Sequence, residues 1–444
     1  SIPPNLPFYL MDYLVINVQF VIAIYGKKMT AQSKLKKNIL KLILISVAGS
    51  VIYGLPYFRS YYYDAYLSTY GLTNTQMGMF GSIFGVMGAV SYLFGGVVAD
   101  LVSPRKLMSI SLVLTGIGGL LHLMHPGFGM LMFIYLLWGF TSLFAFWPAL
   151  LKSLRSLANE NEQSKAYGFM DGIRGITNAV HLAITLAIFN AMTAKANDLA
   201  GLNGVIVFYS GLTILLGVVV FFMLKDNNKD EKKDESSKIN LSGILSVVKM
   251  PVVWILSMIL CCAYTMNILF YYFTPYATAV LGMSAAAGAV VTMLAQYVRP
   301  VAAFSGGIAA DRIGRPNLMF GTFTLMLAAT LYLSFAHKIS STVFIGVCVL
   351  IYIGMYAGYS IVFSMCEESG IPKEVSGTAI GLICTIGYLP EVLCSLIAGK
   401  LLDAYGNAGY KMIFIILSVM MALGIVMLVI YKKYTGKMKE QNSR

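Results

Sequence analysis

Four polar residues recur along an otherwise apolar stretch of this chain: Asp171, Arg174, Asn178 and His181. Steps of three, four and three residues put all four on one face of a helix. Ile173, Ile176 and Val180 fall on the other faces. An ionised arginine at bilayer depth costs about 2.5–3.5 kcal/mol on insertion scales. Such a face must therefore meet other protein or a water-filled cavity. An arginine there suits one kind of chemistry, because its planar fork donates two parallel hydrogen bonds to a carboxylate or phosphate. Arg59 and Arg299 also fall within apolar stretches, as does Glu391. A buried carboxyl can carry a proton, which makes Asp171 and Glu391 candidates for proton coupling. Structural pairing is the competing reading: Asp171 lies one turn from Arg174, Arg59 is within reach of Asp64, and Glu391 follows Pro390 at an expected kink.

The elements that must position these groups are membrane helices. Of 444 residues, 58% are hydrophobic and only 11% charged, against about 25% charged in soluble proteins. Apolar runs of about 18 residues or more recur throughout, which indicates a polytopic helical membrane protein. The roughly ten-residue alternating segments of a membrane β-barrel are absent. The six cysteines lie in or beside apolar runs without metal-ligand spacing and read as reduced packing residues. The four histidines form no cluster. No cofactor is expected, and no nucleophile–base pair or metal motif suggests an enzyme.

Twelve spans are expected, near 38–62, 75–99, 106–124, 128–151, 165–190, 204–224, 250–276, 283–309, 316–336, 341–365, 374–399 and 408–431. The charged run 225–238 separates them into two six-helix halves. The resulting plan is an all-α fold of two pseudo-symmetric six-helix bundles at 37–224 and 250–431. A lead-in (1–36), a linker (225–249) and a tail (432–444) complete it. Residues 7–25 are apolar, and Met29 followed by a basic stretch resembles a natural start. Residues 1–28 then read as an upstream extension, with a thirteenth helix as the alternative. Most of the 32 Lys and Arg fall on the side that holds the linker and tail. That side is therefore cytoplasmic, and the net charge of +13 is explained without nucleic acid.

The halves carry matching loops. Gly96 and Asp100 precede Ser103, Pro104 and Arg105 after the second span; Gly307, Asp311, Arg312, Gly314 and Arg315 follow the eighth. This pattern resembles the signature of the major facilitator superfamily, in which the acidic and basic residues form a cytoplasmic gate. Leu101 and Ser103 replace the usual Arg and Gly of the first copy. Within the superfamily, Tyr57-Phe58-Arg59 and Phe146-Trp147-Pro148 resemble the organophosphate–phosphate antiporters, where a first-helix Arg grips phosphate. Arg174 stands where that group has a substrate-contacting His, and Asn267 where it has a seventh-helix Arg. The eighth-helix Arg299 is a feature shared with the oxalate–formate exchangers.

The resemblance implies a secondary active transporter of a small organic anion in a bacterial inner membrane, working as a monomer by proton symport or anion exchange. Its substrate contacts would be Arg59, Arg174, Arg299, Tyr57, Asn267, Tyr271 and Gln296. Asp171 and Glu391 would pair charges or carry the proton. Gly96, Asp100, Arg105, Asp311, Arg312 and Arg315 would form the gate. Tyrosines at 53, 57, 61, 352, 356 and 359 suit the non-ionic part of a small organic molecule. Glycines at 81, 85, 88, 95 and 96 allow close helix contact. Two alternatives remain: a transporter of a neutral or zwitterionic solute with the arginines as gates, and a transporter-like sensor.

Overall fold

A computed structural model describes residues 34–159, 162–224, 246–336, 338–359, 361–372 and 375–442. The expected amino-terminal extension and most of the expected linker lie outside the described residues. Helices account for nearly all of the rest, in chain order α1 (Ile39–Val51), α2 (Gly54–Tyr61), α3 (Tyr63–Tyr70), α4 (Asn74–Leu101), α5 (Pro104–His122) and α6 (Phe128–Ser156). Next come α7 (Gln163–Lys195), α8 (Asp198–Met223), α9 (Pro251–Ala279), α10 (Ala285–Ile313) and α11 (Arg315–Phe335). The last five are α12 (Ser341–Tyr359), α13 (Val362–Glu368), α14 (Ser376–Gly387), α15 (Leu389–Tyr405) and α16 (Ala408–Asn442).

Each expected span falls on helix. By length and composition, eight spans qualify as membrane-crossing among the described residues, and two bent pairs raise the number to ten. By this measure the described residues do not reach the expected twelve. Helix α5 falls short because Arg105, Lys106 and His122 lie within it. The two bends matter for the site. One of 44° separates α1 from α2, and one of 40° interrupts α10 after Ala303. The second follows Pro300, whose ring displaces the preceding turn's carbonyl and removes a helix hydrogen bond. In α6 the turns at Phe140–Phe146 widen to a π-helix just before Trp147-Pro148, which gives the proline ring the room a regular helix would deny it.

The packing divides the chain into two units. One comprises Ser1–Leu72, Phe94–Glu231 and Ser284–Tyr297; the other comprises Thr73–Leu93, Lys232–Met283 and Val298–Arg444. This differs from the expected halves in two places, and contacts on named residues explain both. The start of α4 lies along α15. Asp403 accepts hydrogen bonds from Asn74 N (2.9 Å), Asn74 Nδ2 (2.9 Å) and Thr75 N (2.7 Å), and Ser82 donates to the Val392 carbonyl. Glycines make that approach possible: a Cβ on Gly399 would stand 2.2 Å from the Asn74 carbonyl oxygen, and one on Gly78 would stand 2.3 Å from that of Ser395. The start of α10 lies along α7 instead, where Tyr297 donates to the Ala179 carbonyl at 3.0 Å.

Because the Asn74 carbonyl is backbone, it cannot turn aside for a new methyl group. Gly399→Ala is expected to lower stability by about 1–3 kcal/mol, the usual range for overpacking. Gly346→Ala, with open space around its Cβ position, is expected to show no loss; thermal unfolding of the purified variants checks both.

Candidate functional site

In the first unit, the bend between α1 and α2 creates a hydrogen-bond acceptor. In a regular helix the Tyr53 N–H would serve the Gly49 carbonyl. Here it turns to Ser50 O at 3.3 Å. The Gly49 carbonyl receives Arg174 Nε–H instead, at 3.1 Å. The Arg174 stem packs against Gly49, where a Cβ would lie at ordinary contact distance, 3.7 Å, from Arg174 Cδ. The guanidinium carbon sits 4.8 Å from the Trp147 ring centroid, and the Nη1–H group donates to Asp171 Oδ1 at 3.2 Å. The Arg174 side chain is 13% exposed and that of Asp171 is 59% exposed. A backbone carbonyl, an aromatic face and an exposed carboxylate thus hold the cation on three sides.

The rest of the polar face is a neutral network. Ser50 donates to Asn178 Oδ1. His181 Nε2 lies 3.1 Å from the same oxygen and 3.3 Å from Ser50 Oγ, and its Nδ1 lies 2.8 Å from the Tyr209 hydroxyl. Asn178 Nδ2 donates to Gln296 Oε1 at 3.3 Å. One assignment satisfies every member: the Tyr209 hydroxyl donates to Nδ1, Nε2–H donates to Asn178, and the amide passes a donor to Gln296. Gly54 admits Tyr209, because a Cβ at that position would stand 2.3 Å from its ring.

Tyr57 and Arg59 do not share a direction. The Tyr57 ring lies 6.4 Å from Tyr53, and Tyr53 meets Trp147 edge-on at 6.5 Å, so Tyr57 belongs to the aromatic row that leads to Arg174. Arg59, two residues on and so about 200° around the helix, is buried on another side with its guanidinium 5.0 Å from the Tyr135 ring. The structure therefore brings Tyr57, Asp171, Arg174 and Gln296 into one connected region and places Arg59 elsewhere.

In the second unit, Arg299 is half-buried with its guanidinium 5.5 Å from the Tyr356 ring. Glu391 accepts a hydrogen bond from Tyr264 and lies against Gly85, where a Cβ would meet the glutamate side chain. Tyr388 packs on Tyr264 with centroids 4.4 Å apart and shares a hydrogen bond with Tyr359 at 2.5 Å. Asn267 donates to the Ala263 carbonyl of its own helix at 3.2 Å, and Tyr271 rests against Phe270. The second copy of the loop motif follows α10. Gly314 takes φ +87 in the single-residue break before α11, a conformation that favours glycine. Arg315 donates to the Ser364 carbonyl at 2.9 Å, while Asp311 and Arg312 are exposed. In the first copy, Arg105 stacks 4.2 Å over Phe221. The side chains of the first-copy residues Gly96 and Asp100 lie outside the described set.

The family model for the Major Facilitator Superfamily matches residues 42–393. The chain belongs to this superfamily. As a superfamily member it is a membrane transporter and not an enzyme. The inner membrane proteins YqcE and YihN of Escherichia coli K12 are each 28% identical to it. The alignments cover 87% of this chain and 92% of YqcE, and 91% of this chain and 98% of YihN. Among solved structures, a bacterial homolog of the human lysosomal transporter Spinster, inward-facing and occupied, superposes with a TM-score of 0.72 at 11% identity. It covers 89% of this chain and 97% of its own. The nucleoside transporter NupG superposes at 0.67 and 14% identity over 89% and 98%. At those identities the likeness concerns the fold.

Sequence spacing on this superfamily member predicts the polar face of α7 but misses its partners. Ser50 and Tyr209 gave no periodic signal, being single polar residues on buried helices, and Trp147 entered only through its motif. Replacing His181 by alanine takes away the acceptor of the Tyr209 hydroxyl and leaves Asn178 Oδ1 with Ser50 alone, in an apolar interior. A loss of about 1–3 kcal/mol is expected from unsatisfied groups of this kind. A fall in melting temperature checks it, with His181→Gln recovering part of the loss.

Proposed function

We propose that this chain is a secondary active transporter of a small organic anion, a carboxylate, sugar acid or phosphorylated metabolite, with Arg174 as its principal contact. The observation that carries the reading is the setting of Arg174. Its Nε and one face are fixed by Gly49 and Trp147, and its acidic partner Asp171 is the exposed member of the pair. A guanidinium held this way is oriented in advance for a planar anionic group. Tyr57 and Gln296 adjoin the same region of the first unit. Arg299, Asn267 and Tyr271 of the second unit are proposed as further substrate contacts. Glu391, gripped by Tyr264, and Asp171 are the proposed carriers of a coupling proton if the mode is symport; in exchange a counter-anion takes that part.

The proposed setting is a bacterial inner membrane, in keeping with the named location of the two relatives. The linker and carboxyl terminus would lie in the cytoplasm on the basic side, with Asp311, Arg312 and Arg315 at the gate. A monomer suffices for this mechanism.

A ligand that binds the folded state raises the melting temperature by mass action. The test is thermal unfolding of the purified protein against phosphates, sugar phosphates, carboxylates, sugar acids, neutral sugars, nucleosides and amino acids. One anion class is expected to stabilise the wild type, with the effect lost in Arg174→Gln. Stabilisation only by neutral or zwitterionic solutes contradicts the reading and recasts the arginines as gate residues.

A further inference from the structure

The last helix is longer than a bilayer is thick. Helix α16 has 35 residues, about 52 Å at 1.5 Å per residue, against roughly 30 Å of hydrocarbon. Its neighbour α11 has 21 residues, about 31 Å, which matches the hydrocarbon. The two run antiparallel along most of α11. Ser418 donates to Thr330 Oγ1 at 2.9 Å, a Cβ on Gly424 would stand 2.6 Å from the Phe323 ring, and Lys432 Nζ donates to Asn317 Oδ1 at 2.5 Å. The thirteen residues back along α11 from Thr330 to Asn317 are thus matched by fourteen forward along α16 from Ser418 to Lys432. Lys432 and Lys433 are therefore level with the start of α11 at Arg315, the edge of the hydrocarbon, and the rest of α16 to Asn442 runs on past it.

The exposed side of this pair is apolar. Ile415, Val419, Val426 and Ile430 are exposed on α16 at steps of four, seven and four, and Phe320, Leu331 and Phe335 are exposed on α11. Helical spacing puts each set on one face, and an exposed apolar face on a membrane helix meets lipid tails. Lys433 follows Ile430 by three residues, so the α16 face ends in a positive charge. Lys432 reaches instead to α11, where its ammonium lies 5.6 Å from the Phe320 ring centroid. Tyr434, half-buried beside them, has the amphipathic ring usual at this level. Both lysines are exposed, and among the described residues neither meets a carboxylate. Two adjacent cations without a counter-charge, at the edge of the hydrocarbon, match a lipid phosphate in sign and in depth.

We propose that Lys432 and Lys433, with Asn317 and Phe320 beside them, form a headgroup site for an anionic phospholipid whose acyl chains lie on the exposed faces of α11 and α16. The phosphate takes its place between the two ammonium groups. Asn317 occupies one of the three donors of Lys432 and leaves the others for the phosphate. The long lysine stems stay along apolar surface while the charges reach the headgroup level. A zwitterionic lipid fits less well, because its own cation meets the same two charges. The site lies on the exposed surface of the second unit and does not depend on what Arg174 binds.

The test titrates the full chain, purified in a neutral detergent, with phosphatidylglycerol or with phosphatidylcholine of the same acyl chains, and follows the melting temperature. Phosphatidylglycerol is expected to give a saturable rise several degrees beyond that of phosphatidylcholine. The excess is expected to vanish when Lys432→Gln and Lys433→Gln are combined, and to weaken in Lys433→Gln alone, which breaks no hydrogen bond among the described residues. Lys411→Gln removes an exposed charge from the opposite end of the same helix and is expected to keep the excess. Native mass spectrometry supplies a second readout, independent of melting, in which the double variant should retain fewer phosphatidylglycerol molecules than the wild type. Equal stabilisation by the two lipids overturns the proposal, as does an excess that survives in the double variant. An equal loss in Lys411→Gln overturns it too, because net charge alone would then explain the effect. Glycerol 3-phosphate without lipid tests the other source of a phosphate: if it stabilises the wild type but not the double variant, the lysines hold a soluble anion and the lipid site is wrong.

Discussion

A guanidinium among apolar helices must be solvated by the protein, and the first unit is arranged around meeting that demand at Arg174. Its fixed partners are a backbone carbonyl and an indole face, and neither carries charge. The carbonyl is available only because α1 breaks. Had the helix run straight through Val51–Gly54, Gly49 O would have kept its own helix donor. The bend in the first membrane helix and the placement of the cation are therefore one feature. The π-turn in α6 has the same relation to Trp147, since it sets the indole beneath the arginine just where proline disturbs the helix.

The neighbouring polar network obeys the opposite rule. Ser50, Asn178, His181, Tyr209 and Gln296 are joined by hydrogen bonds that need no net charge, so they fix α7 against α1, α8 and α10. Exposed Asp171 at one end and buried His181 at the other give the face a gradient. Charge and access lie toward Asp171; neutrality and burial lie toward Tyr209. On the proposed function, ligand exchange belongs to the first and rigidity to the second. A glycine serves the same division, since Gly54 admits the Tyr209 ring to a place that any side chain would block.

Much of this was legible in the sequence. Each expected apolar run falls on helix among the described residues, because hydrophobic length is the strongest constraint on a membrane segment, whereas the short α3 lies outside every expected span. The three–four–three spacing put Asp171, Arg174, Asn178 and His181 on one face, and the structure joins them as neighbours. The divergence of Tyr57 and Arg59 was legible too, because two residues on a helix stand about 200° apart. All three arginines were grouped because a charge inside an apolar run looks alike wherever it points. Contacts such as Asp403 with Asn74 link positions far apart in the chain, and no periodicity reports them.

The account rests on Arg174 being a cation shared between Asp171 and an incoming anion. The most direct measurement is the affinity of the stabilising anion for Asp171→Asn compared with the wild type, at constant pH and ionic strength. Removing a competing carboxylate from an exposed ion pair strengthens the field at the guanidinium. The account predicts that binding tightens several-fold. Loss of binding in a variant that folds normally would contradict it, because Asp171 would then be a ligand contact in its own right and not the group the anion displaces.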